Sequence, residues 1–226
     1  MKKTINLKES IFADLTPQEI HSLEKSAEVC HFSSGEWIVH HGDVWPYFFI
    51  INNGQVTAVK ESFEGRSLIL TTLRGGDVFW GLAFFIPEAP MPASLQAAEN
   101  TELLRWPRES LMPLFLNNGQ LSWKLSCVMI QRVQLASEIV EKLAFHPVAG
   151  RLARFLVDLS PDEKGPVARD LTLDEMAAHI GSTREVVCRF LHRFASDGLI
   201  DITRTEFTIH DRSRLEELSR QGRLPG

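Results

Sequence analysis

From Gln120 to Phe145 the chain holds neither proline nor glycine, while Leu121, Leu125, Val128, Met129, Val133, Leu135, Ala136, Ile139, Val140 and Leu143 recur at helical spacing. That pattern reads as one long helix. The turn-like Asn117-Asn118-Gly119 leads into it, and His146-Pro147 ends it, because proline cannot continue a helix and restricts the residue before it. The helix separates two stretches of different character, which gives three segments: 1–118, 119–146 and 147–226. A length of 226 residues is enough for two modest domains with a core each.

The first stretch has an all-β rhythm. From about Ala27 to Trp106, short runs rich in Val, Ile, Phe and Thr alternate with glycine turns at Ser34-Gly35, Asn53-Gly54, Glu64-Gly65 and Gly75-Gly76. Asn53-Gly54 between two apolar runs predicts a β-hairpin, and the whole stretch predicts a jelly-roll barrel with flanking short helices. The expected fold class is therefore α+β. The apolar stripe of the long helix is wider than one barrel would cover, so it predicts a two-fold pair of chains. The interface expected from it is Leu121, Leu125, Val128, Met129, Leu135, Ala136, Ile139 and Val140, although packing within one chain stays open as the alternative.

Beyond the hinge at His146-Pro147 the sequence predicts a helix over about Val148–Leu159, a polar loop, then two short helical segments and a strand pair. The helical segments carry the chemistry. Leu171 to Glu185 reads as helix, tight turn at Gly181, helix, with Thr172 and Glu175 fitting one capping box and Ser182 and Glu185 a second, or Thr183 the true cap. On the second helix Val187, Phe190, Leu191 and Phe194 fall on one side, and Arg184, Glu185, Cys188, Arg189 and His192 on the other. The polar side suits a major groove: arginine grips guanine O6 and N7, and glutamate accepts from cytosine N4. Asp197 to Ile209 adds a turn, a strand, a tight loop and a returning strand, which is a wing.

Charge limits how such a chain meets DNA. A net charge of −5 excludes coating of nucleic acid by bulk positive charge, so any contact is local. The amino terminus runs into polar residues where a secretory signal needs an apolar core, and no apolar run is long enough to span a bilayer. Three scattered cysteines, Cys30, Cys127 and Cys188, suit a reducing compartment. A cytoplasmic protein without membrane partners is the expectation.

With these elements in place the chain resembles the Crp/Fnr family of transcription regulators over nearly its whole length. Gly181 to Leu191 resembles the family's recognition-helix signature, Ser137 to Phe145 the end of its dimer helix, and Gly75-Gly76-Asp77-Val78-Phe79 the glycine turn of its barrel. The resemblance implies that Arg184, Glu185 and Arg189 read a TGTGA-like half-site, that Thr183 contacts phosphate, and that RNA polymerase is a partner. Cys188 stands where the family usually has glycine or serine.

The effector site departs from the family. Gly81 and Met91 occupy the positions matching the glutamate and arginine that hold a cyclic nucleotide, so the phosphate would lose its charge-assisted partner. Arg132 and Ser137 fall at matching positions on the dimer helix, but Ala136 replaces a hydroxyl that would reach the adenine. Cyclic AMP is accordingly not expected as the natural ligand. Trp80, Gly81, Leu82 and Met91, with Arg132 and Ser137, form the candidate effector pocket; an apolar or aromatic ligand, haem, a redox signal or simple core packing all remain open. An iron-sulfur cluster is rejected, because three distant cysteines do not make a cluster ligand set. The rival class is a cupin-like jelly-roll enzyme with a histidine-held metal, but the chain has adjacent His40-His41 in place of His-x-His and no catalytic motif, so neither a catalytic residue nor a metal site is assigned.

Overall fold

A computed structural model describes Leu7 and residues 10–160 and 165–221. Its contacts divide the chain into two compact units, one of residues 1–60 and 70–135, the other of residues 61–69 and 136–226.

The first unit opens with α1 (Pro17–Ser26), whose start is fixed by a reciprocal capping box between Thr16 and Glu19. Eight strands follow: β1 (Glu28–Phe32), β2 (Trp37–Val39), β3 (Tyr47–Asn53), β4 (Gln55–Glu61), β5 (Ser67–Arg74), β6 (Val78–Trp80), β7 (Ser94–Ala97) and β8 (Thr101–Pro107). They form two four-stranded sheets in the orders β1-β8-β3-β6 and β2-β7-β4-β5. Two sheets face to face are the jelly-roll expected, but one detail differs. Asn53-Gly54 does not close a hairpin, since β3 and β4 belong to different sheets. Gly54 turns the corner between them at φ +93°, and a Cβ there would lie 2.6 Å from the Thr101 hydroxyl. Asn-Gly reports a left-handed turn, and which sheet the next strand joins is decided by packing.

The middle of β3, Phe48 to Ile51, is buried on both faces. Phe48 and Ile50 point to a cluster with Phe12, Trp106, Leu111 and Phe115, on the side where α1 and α2 (Arg108–Asn117) pack. Phe49 and Ile51 point the other way, to a cluster with Val39, Val56, Leu73, Met91 and Leu95 inside the barrel. Alternation along a strand produces this split. The long helix α3 (Gly119–Phe145) runs within one residue of expectation. Its Leu121 and Leu125, 2% and 4% exposed, are part of the Phe48 cluster. These two are therefore core residues of their own chain.

In the second unit α4 (Val148–Leu159) matches its expected bounds and buries Leu152, Ala153, Leu156 and Val157. After it come β9 (Val167–Ala168), α5 (Leu173–Ile180), α6 (Arg184–Ser196), β10 (Ile200–Ile202), β11 (Glu206–Ile209) and α7 (Arg212–Gln221). The expected strand pair is in fact a three-stranded sheet of order β10-β11-β9, and α7 was not expected. Leu215 and Leu218 of α7 complete the core formed by α4, α5 and α6. Arg212 ties α7 to the end of α4 through the Ser160 carbonyl.

Candidate nucleic-acid interface and barrel interior

α5 and α6 are set by their ends. Thr172 and Glu175 form the complete capping box at the start of α5, and Gly181 closes that helix in the left-handed conformation at φ +61°. α6 starts one residue later than the Ser182 box requires. Its cap is Thr183, whose hydroxyl accepts from the Val186 amide, so Ser182 does not cap and Glu185 is not held in a box. A threonine at this point has the extended backbone a cap needs, here φ −113° and ψ 157°.

α6 then has two faces. Val187, Leu191 and Phe194 are 0%, 4% and 0% exposed, and truncating a buried phenylalanine such as Phe194 to alanine typically costs about 3–5 kcal/mol. Phe190 is half-buried against the same core. Opposite them Arg184, Glu185, Arg189 and His192 are exposed and Cys188 is half-buried. The amide of Glu185 and the Thr183 hydroxyl, at the positive end of the helix, hold the Glu185 carboxyl below its ordinary pKa. It therefore stays an acceptor. Arg184 pairs with Asp174 of α5 at 3.3 Å, and the Arg189 guanidinium lies 5.7 Å from the centre of the Phe190 ring.

The sheet beyond α6 carries the wing. In its loop the Thr203 hydroxyl accepts from the Glu206 amide at 3.1 Å, and Arg169 donates through Nε and Nη2 to the Arg204 carbonyl at 3.1 and 2.8 Å. The Arg204 side chain is exposed at the tip. Sequence reasoning placed the wing but singled out neither Arg204 nor Asp174, although an arginine between two threonines in a tight loop was the available signal.

Trp80 and Met91 of the candidate effector pocket lie in different clusters. Trp80 stacks on Phe48 at 5.9 Å and 12° and belongs with the helix-side cluster, while Met91, 1% exposed, belongs to the barrel interior. Period-2 alternation along β6 puts Trp80 outside and Phe79 inside. Gly81 has no room for a side chain: a Cβ would fall 1.7 Å from the Trp45 carbonyl oxygen. Leu82 is on the surface at 36% exposure. On α3, Arg132 is half-buried, its Nη1 3.4 Å from the Thr71 hydroxyl, and burial lowers its pKa. Ser137 is exposed. His40 and His41 are exposed in the turn after β2 and not on a regular strand.

On α3 the remaining expected interface residues divide again. Val128 and Met129 are half-buried against the core of the first unit, Leu135 and Ile139 are half-buried, and Ala136 and Val140 are exposed. Trp123, Ile130, Val133 and Phe145, exposed at 58–79%, were not among them.

A jelly-roll, a long helix and a winged helix-turn-helix define a class of regulators that couple a sensor barrel to DNA. Two family models match the chain in that order, the cyclic nucleotide-binding domain over residues 29–118 and the Crp-like helix-turn-helix domain over residues 150–218. A CRP-like cAMP-activated global transcriptional regulator of Mycobacterium tuberculosis is 28% identical, covering 93% of this chain and 96% of that one. The cyclic AMP receptor protein of Thermus thermophilus is 26% identical, covering 92% and 96%. The same fold occurs in the c-di-GMP responsive global regulator CLP of Xanthomonas campestris, at TM-score 0.75 and 20% identity over 86% of this chain and 99% of that one. The chain belongs to the Crp/Fnr family and is a transcription regulator with a helix-turn-helix DNA-binding domain. Its relatives are regulators, which disfavours the cupin-like enzyme. Among the described residues no helix is long and apolar enough to cross a membrane.

Proposed function

We propose that the protein is a cytoplasmic, homodimeric regulator of RNA polymerase that reads a palindromic TGTGA-like site with one α6 per half-site. Residues 1–118 serve as sensor, 119–146 as dimer helix and 147–226 as DNA-binding domain. Arg184 and Arg189 take guanines, Glu185 takes a cytosine, Thr183 holds phosphate, and Cys188 and His192 border the same face. The observation that carries this reading is the two-sided α6, with Val187, Leu191 and Phe194 buried and every charged side chain of its reading face exposed. Exposed Trp123, Ile130, Val133, Val140 and Phe145 on α3 supply apolar surface for a second copy.

Cyclic AMP is not the signal in this reading. The Trp45 backbone fills the space where a side chain at position 81 would begin, and Met91 is enclosed by core, so neither position offers a polar side chain to a nucleotide. Relatives that answer to cyclic AMP and to c-di-GMP show that this fold accommodates different effectors. Selection from random duplexes tests the function: enrichment of an inverted repeat is expected, and enrichment of none, with or without ligands and under either redox condition, refutes it. Native mass spectrometry reports the subunit number and any retained ligand in one measurement.

A further inference from the structure

Arg151 is the fourth residue of α4 and spends its guanidinium on three backbone carbonyls. Nη1 donates to His146 at 2.6 Å, Nε to Ile180 at 2.8 Å and Nη2 to Gly181 at 3.3 Å. These acceptors belong to two different chain turns. His146 follows the last residue of α3, whereas Ile180 ends α5 and Gly181 is its left-handed cap. Carbonyls at a helix end have no intrahelical partner and carry the negative pole of the helix, so a half-buried cation is well placed among them. Only a planar guanidinium offers donors in a fixed fork that can satisfy all three at once.

The consequence is geometric. Gly181 is also the turn from which Ser182 and Thr183 lead into α6. One side chain thus links the end of the dimer helix to the entry of the reading helix. We propose that Arg151 is a positioning residue that fixes the direction of α6 relative to the end of α3, and through it the half-site spacing the dimer accepts. The proposal rests on the dimeric reading above, and Arg151 itself touches no DNA in it.

The test compares the full-length protein with Arg151→Met by hydrogen exchange and by binding to inverted repeats whose half-sites are moved one base pair closer or farther apart. Faster exchange confined to residues 142–150 and 178–184 is expected, together with a spacing penalty that falls from tenfold or more to under about threefold at unchanged half-site base preference. An exchange pattern like that of the unaltered protein overturns the proposal, and so does local loosening with the spacing penalty intact. If Arg151→Met does not fold, Arg151→Lys, which keeps the charge but lacks the fork, is read in the same way. A protein that selects no inverted repeat at all would fail the dimeric reading, while the exchange result would still decide whether the clamp exists.

Discussion

The Arg184 guanidinium lies 3.3 Å from the Asp174 carboxylate, so the first arginine of the reading face already has a partner within its own helix pair. Both side chains are more than half exposed, which keeps the pair weak and exchangeable. In the proposed DNA-bound arrangement, Asp174 adds a negative charge beside the face that meets the duplex. We expect Asp174→Ala to tighten binding to random duplex by about 0.2–1 kcal/mol, up to about fivefold, and to lower the ratio of cognate to random affinity. Fluorescence anisotropy at two salt concentrations measures this, and unchanged random-duplex affinity would remove Asp174 from any role in discrimination.

Removing the arginines has the opposite signature. Arg184→Ala and Arg189→Ala should each cost about 1–3 kcal/mol on the cognate palindrome and relax preference at one base position. Thr183→Ala should weaken all sequences alike and also cost about 1 kcal/mol of stability through loss of the α6 cap. Binding to a panel of single-base variants separates these outcomes; equal losses on cognate and random duplex for Arg184→Ala would exclude base reading by that residue.

Gly81 gives a sharper test of the barrel. With the Trp45 carbonyl oxygen 1.7 Å from its would-be Cβ, Gly81→Ala should destabilise the protein by at least about 3 kcal/mol in chemical denaturation. Millimolar cyclic AMP should leave the melting temperature of the unaltered protein where it was, since a ligand that binds only the folded state raises it. A clear rise would restore the nucleotide as effector.

The pH dependence expected of α5 comes from His179. Its ring stacks on Phe155 at 5.1 Å, and the loss of water on that side outweighs the nearby Glu175, leaving the pKa below the ordinary histidine value. The folded state then resists protonation more than the unfolded one. Stability should be level above the ordinary histidine value near pH 6.5 and decline as pH falls through the lower, folded value. Denaturation midpoints from pH 8 to pH 5 should flatten in His179→Gln, and an equally steep decline in that variant would point to another group.

Local signals reach a definite limit here. α3 and α4 were legible because proline and glycine bound them and long periodic runs fill them, and Thr172 and Gly181 marked α5 at both ends. α7 was missed although Asp211 accepts from the Arg214 amide at its start, because only Leu215 and Leu218 are buried in an otherwise polar segment. The apolar stripe of α3 was read correctly as apolar, yet nothing in the spacing of Leu121, Leu125 and Val140 says that the first two meet this chain's own core and the last is left exposed by it. The same holds for Trp80 and Met91, close in sequence and assigned to opposite sides of a sheet. Which neighbour an apolar residue meets is a property of the assembled fold, and Trp80 and Met91, grouped by sequence, lie in different clusters.

Phe48 and Phe49, both fully buried, load β3 from its two sides. The aromatic rings behind the strand, Phe12, Trp106 and Phe115, are packed in one cluster with Phe48, so a shift of the barrel lining would be passed to them by contact. In the proposed sensor reading, a ligand inside such a barrel would act by displacing packed side chains, and its bulk would count before its charge.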